Sequence, residues 1–104
     1  MALRRDFRQT TYARAQRDAS FRKALLTEAV NAYFGGEEAV GRAVLKDFIN
    51  ATIGFGGLAS TLGIPSKSLQ RMLGPHGNPR TTNFFAILRA LQSSARVQLK
   101  IKAA

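Results

Sequence analysis

The sequence predicts a mainly α-helical domain built around a helix-turn-helix, with helices ahead of it and one β-strand at its C-terminal end. Three observations carry this expectation. Apolar residues recur at helical spacing through residues 18–52. Residues 58–73 then join an alanine, a glycine four positions later and apolar residues on both sides, as two helices crossing at a tight turn require. Finally, residues 96–102 change to a period of two. A chain of 104 residues with 45% hydrophobic composition has room for one core, so a single domain is expected. The boundaries expected are a basic N-terminal arm over residues 1–17 and the helix-turn-helix domain with its strand over residues 18–104.

In chain order, Phe7 to Arg17 has a thin apolar face and predicts at most a short helix. Asp18 is a suitable cap for the next helix, in which Phe21, Leu25, Ala29 and Tyr33, joined by Leu26, Val30 and Phe34, recur at i, i+4. Gly35-Gly36 ends it, because glycine readily takes the left-handed conformation found just past a helix C-terminus. Glu37 and Glu38 open another helix, where carboxylates suit the positive end of the dipole. Its buried stripe is expected at Val40, Val44, Phe48 and Ala51 or Thr52, and the glycine-rich residues 53–57 read as the next break.

The central motif follows. Ala59 is the small residue at the helix crossing, and Gly63 the residue able to adopt positive φ in the turn. Pro65 forces Ile64 out of helical conformation and so keeps the two helices apart. Leu58, Leu62 and Ile64 fill the angle from one side; Leu69, Met72 and Leu73 fill it from the other. Gly74-Pro75 is a stop signal. On the second helix, Ser66, Lys67, Gln70 and Arg71 share the opposite face. Those side chains match base edges in a major groove: Arg or Lys suits guanine, Gln suits adenine, and Ser is adaptable. An ordinary solvated helix with polar residues outward is the competing reading.

Gly77-Asn78-Pro79-Arg80 predicts a turn, with Thr81 or Thr82 as cap for a last helix whose stripe is Phe84, Ile87, Leu88 and Leu91. Arg80 is placed to touch phosphate. In the closing segment Val97, Leu99 and Ile101 alternate with Arg96, Gln98, Lys100 and Lys102. A lone strand cannot satisfy its hydrogen bonds, so it is expected to pair with a second copy, a partner's sheet edge or an extended N-terminus.

Charge agrees with a polyanionic partner. The chain carries 16 Lys+Arg against 6 Asp+Glu, a formal net charge of +10. The excess is segregated: no carboxylate side chain follows Asp47, while Lys67, Arg71, Arg80, Arg89, Arg96, Lys100 and Lys102 do. A solvated face ordinarily mixes signs. The basic N-terminus has three open readings: a DNA-contacting arm, a segment ordered by a protein partner, or a solvated tail.

Enzyme chemistry has little to stand on, and no cofactor or metal is expected. There is no cysteine and one histidine, His76, beside Gly and Pro in a turn. Glu37 and Glu38, adjacent on a helix, diverge by about 100° and cannot converge on a substrate. The run G-I-P-S-K-S lacks the glycine that a phosphate loop places before its lysine. The sequon Asn50-Ala51-Thr52 falls within a helical pattern. No apolar run approaches a membrane span, and the opening residues carry no secretory pattern, so a cytoplasmic location is expected.

The runs R-A-V-L-K-D-F-I-N-A-T-I-G-F-G-G-L-A and P-S-K-S-L-Q-R-M-L-G-P-H-G-N-P-R resemble the HigA-like, Xre-type helix-turn-helix antitoxins. The similarity extends from about Phe21 to Ile101, and Lys67-Ser68-Leu69, Arg71-Met72-Leu73 and Gly77-Asn78-Pro79 are its most specific parts. It implies a lambda-repressor-like domain that binds double-stranded DNA as a homodimer and represses its own operon. A cognate toxin is implied as well, typically a RelE-like ribonuclease neutralised by direct contact. The alternatives are a stand-alone regulator with no toxin partner, a toxin-occluding interaction module with secondary DNA binding, and a nonspecific nucleic-acid binder.

Overall fold

Asp18 sets the first junction. Its backbone is extended (φ −125°, ψ 101°) and its Oδ1 accepts from the Phe21 N–H at 3.1 Å. That bond holds its carboxyl below the usual carboxylate range, helped by Arg14, whose Nε lies 3.5 Å from Oδ2. On either side run α1 (Ala2–Arg17) and α2 (Ala19–Phe34). They come from a computed structural model that describes the backbone of residues 2–104 and the side chains of residues 10–104. Four more helices follow: α3 (Glu38–Ala51), α4 (Gly54–Leu62), α5 (Ser66–Met72) and α6 (Thr81–Ala95). The fold is therefore mainly α, with no strand among the described residues. Its radius of gyration, 13.3 Å, is that of one compact body, about 13 Å for ~100 residues.

Helix α1 is longer than the short helix expected from Phe7 to Arg17. Alanine, arginine and glutamine favour helix locally, and Ala15 is fully buried where α1 meets the body. Arg22 of α2 fastens this corner. Its Nη1 donates to the Ala15 carbonyl at 2.8 Å and its Nε to the Ala95 carbonyl at 3.1 Å, so one guanidinium serves the ends of α1 and α6.

Helices α2 and α3 pack most extensively against each other. Gly35 and Gly36 close α2, with Gly36 at φ +80° and the Glu37 N–H returning to the Ala32 carbonyl at 2.8 Å. The buried stripe of α3 is rotated from the expected one. Gly41, Leu45, Phe48, Ile49 and Ala51 are buried, whereas Val40 is 47% exposed and Val44 half-buried. The cause is Gly41: a Cβ there would stand 2.7 Å from the Tyr33 ring and 3.1 Å from the Ala29 carbonyl oxygen. The close approach of α3 to α2 turns the Gly41 side of the helix inward. Phe34, assigned to the α2 stripe, is 69% exposed.

The break before α4 is also tighter than the glycine-rich run suggests. Thr52 and Ile53 form it, Gly54 (φ +77°) begins the new helix, and Phe55 is already buried. Helix α6 starts one residue early. Arg80 is extended and its carbonyl accepts from the Phe84 N–H at 2.8 Å, so Thr81 and Thr82 lie inside the first turn and neither is the cap. The core joins Leu26, Leu45, Phe48, Ile49, Leu58, Leu69, Leu73, Ile87 and Leu91 from α2 to α6.

Beyond α6, Arg96 turns left-handed (φ 56°) and residues 97–104 take no regular secondary structure. The expected strand is thus not formed within the single chain, where no parallel or antiparallel neighbour supplies a ladder. Its period of two partly persists in side-chain burial. Val97 and Leu99 pack against the core and Ile101 is 86% exposed. The Gln92 side chain holds the segment by accepting from the Leu99 N–H at 2.8 Å. No helix among the described residues is long and apolar enough to cross a membrane.

Candidate nucleic-acid interface

Helix α4 ends at Gly63, whose φ of 67° and ψ of 26° are left-handed, and the Gly63 N–H returns to the Ala59 carbonyl at 2.8 Å. Ile64 and Pro65 cross the gap in non-helical conformation. The Pro65 carbonyl then accepts from Ser68 N–H at 2.9 Å and Leu69 N–H at 3.1 Å, which starts α5. Helix, turn and helix occupy the predicted residues, with Ala59 packed against the core near the crossing.

The two sides of α5 differ sharply. Leu69 is fully buried, Leu73 just beyond the helix is 2% exposed, and Met72 is half-buried against the same core. Outside, Lys67, Gln70 and Arg71 are exposed and Ser66 is half-buried at the helix start. Gln70 Nε2 donates to Ser66 Oγ at 3.0 Å, which links two of the four side chains one turn apart. Among the described residues the ion pair formed is Arg14–Asp18, so no carboxylate neutralises Lys67 or Arg71. Arg80, at the α6 cap, and Arg89, along α6, are exposed as well.

A seven-residue helix is too short to be stable alone. Leucines hold its inner face, and the connection to α6 holds its far end. In that connection Gly77 folds back against the end of α5, where a Cβ would collide with the Arg71 and Met72 carbonyls. Its N–H donates to the Gly74 carbonyl at 2.9 Å. Arg42, from α3, reaches the same place: Nε donates to the Gly74 carbonyl at 3.2 Å and Nη2 to the Pro75 carbonyl at 3.4 Å.

Arg42 was not among the sequence-derived site residues. It sits beside Gly41 on α3, and nothing in its spacing connects it to a loop 32 residues away. Beside it the Tyr33 ring stands edge-on to Phe84, with centroids 4.7 Å apart, and its buried hydroxyl has no partner. Burial pushes the Tyr33 hydroxyl above its ordinary range.

His76 is exposed in the turn, and among the described residues no three of His, Cys, Asp or Glu gather as metal ligands would. Glu37 caps α3 through its backbone and makes no side-chain capping bond. Comparison with family models, with curated proteins and with solved structures finds no match for this chain.

Proposed function

We propose that this chain is a sequence-specific DNA-binding repressor of the lambda-repressor-like, Xre type, acting as the antitoxin of a type II toxin–antitoxin module. The observation that carries the reading is the outer face of α5: Ser66, Lys67, Gln70 and Arg71 on a helix whose other face is locked into the core. In this reading they enter the major groove and form hydrogen bonds to base edges. Arg80 contacts the phosphate backbone. The acid-free C-terminal half supplies affinity through counterion release and steers the encounter.

The reading includes a homodimer with its two α5 helices about 34 Å apart on a palindromic site. Residues Val97, Leu99 and Ile101 supply the contact, each tail completing a ladder with its copy. The protein works in the cytoplasm, represses its own operon and neutralises a RelE-like ribonuclease. An alternative, a protein-occluding module in which DNA binding is secondary, is favoured by Phe34 and Val40. These are 69% and 47% exposed in the acid-bearing half of the chain.

Duplexes selected from a random pool test the reading. Binding of a selected duplex is expected to exceed that of its scrambled counterpart by at least about 10³-fold. Equal binding of both, with a steep salt slope, would instead mark a nonspecific nucleic-acid binder. Whether a short toxin-like reading frame adjoins the gene separates the antitoxin from a stand-alone regulator.

A further inference from the structure

We infer that Arg42 is a positioning residue for DNA reading: from α3 it sets the pose of α5 and of the Arg80-bearing loop by clamping the carbonyls at the end of α5. This rests on the reading above. The clamp uses two nitrogens of one guanidinium on two successive carbonyls, Gly74 and Pro75, at 3.2 and 3.4 Å. A planar fork can hold such a pair together, whereas an ammonium cannot match both directions with the same rigidity. Those carbonyls lie just past the end of α5, where a cation also meets the negative end of the helix.

The clamp acts on the residues that follow Leu73, the last core anchor of this segment. Helix α5 spans seven residues and its last turn passes directly into the loop. Gly77 folds that loop back on α5 and shares the Gly74 carbonyl with Arg42, so the two restraints act on one oxygen. The base of the clamp is firm. Gly41, the preceding residue, is buried with no room for a Cβ against Tyr33, so α3 packs closely on α2 at this point. Position is thereby passed from the α2–α3 pair, through Arg42, to the end of α5 that carries Gln70 and Arg71. Arg80, three residues beyond Gly77, lies on the same tethered loop.

A positioning role and a direct phosphate contact have different signatures. A cation that touches phosphate contributes about one unit to the slope of log affinity against log salt. A clamp contributes nothing to that slope but affects the ratio of selected to scrambled binding. The test compares the full-length protein with Arg42→Met, which keeps the aliphatic stem, and with Arg42→Lys, which keeps the charge. Each is titrated against a pool-selected duplex and its scramble over a range of salt. Amide exchange at Gly77 is followed without DNA.

Arg42→Met is expected to lose about tenfold in affinity for the selected duplex, the scale of a lost charged hydrogen bond. Its affinity for the scramble and its salt slope stay unchanged, and Gly77 exchanges faster. Arg42→Lys recovers part of the loss; should the Met variant not fold, the Lys variant alone must show a reduced ratio at unchanged slope. A slope lower by about one, with both duplexes weakened alike, overturns the proposal in favour of a phosphate contact. An unchanged ratio with unchanged Gly77 exchange overturns it outright. Failure of the wild-type protein to distinguish any selected duplex from its scramble would overturn the DNA reading itself, whereas faster Gly77 exchange would still record the clamp.

Discussion

Helix α5 and the C-terminal tail each carry an alternation of apolar and polar residues, yet one folds as its pattern dictates and the other does not. In α5 the period is helical, every backbone bond is local, and Leu69 finds a core within the same chain. In residues 97–104 the period is that of a strand, and a strand needs a neighbour. The tail therefore packs Val97 and Leu99 where it can and leaves Ile101 86% exposed. A pattern whose hydrogen bonds close within its own segment is realised by a single chain. One that closes between segments is not.

The comparison breaks first on the inner face of α5. Leu69→Ala removes a fully buried side chain and is expected to cost about 2–5 kcal/mol, read by denaturant unfolding. Gln70→Ala, one residue away on the outer face, is expected to stay within about 0.5 kcal/mol. Similar losses at both positions would mean that α5 is not two-faced.

The restraints at the ends of α5 come next. Gly77→Ala drives a methyl against the Arg71 and Met72 carbonyls and is expected to cost about 1–3 kcal/mol. Gly63→Ala meets nothing but must adopt φ 67°, a conformation that costs an L residue about 1–2 kcal/mol. Thermal unfolding of the two variants ranks them, and a neutral Gly77→Ala would contradict the tight fold of that loop.

The tail separates two effects: Ile101 bears on the proposed homodimer, whereas Val97 and Leu99 bear on the core. Ile101→Asp changes an exposed residue, so unfolding is expected to be unaffected while the homodimer weakens in light scattering. Deletion beyond Ala95 also removes the dimer but costs stability, since Val97 and Leu99 leave the core with it. A dimer that survives both changes places the contact elsewhere.

The smallest effect is expected at Tyr33. Tyr33→Phe deletes a buried hydroxyl without a partner and is expected to be neutral or slightly stabilising. Because burial raises the Tyr33 pKa in the folded state, the neutral phenol's contribution is complete below the unfolded value near 10. It is lost as pH rises through the folded value. The wild-type protein should therefore lose stability above about pH 10 more steeply than Tyr33→Phe does.

How much was legible follows the same division. The turn at Gly63, the helix separation at Pro65, the buried Leu69 and the outward Lys67, Gln70 and Arg71 follow from local rules and appear at the predicted residues. The observed α3 stripe departs from the expected one because valine counts as apolar in a sequence pattern and glycine does not. Packing instead chose the side where Gly41 admits the Tyr33 ring. The cap of α6 moved to Arg80 because a carbonyl suffices to begin a helix, and Thr81 and Thr82 offered no side-chain bond to hold it later. Arg42 was invisible, since its partners are backbone carbonyls 32 and 33 residues away and any residue offers those.

The central claim is that the outer face of α5 reads base pairs, and Arg71→Ala tests it most directly. Measured against a pool-selected duplex and its single-base variants, with unfolding monitored in parallel, the substitution is expected to leave stability intact. Binding is expected to weaken by about 1–3 kcal/mol, with discrimination relaxed at one base position. Unchanged affinity and unchanged discrimination in a folded Arg71→Ala protein would contradict the account.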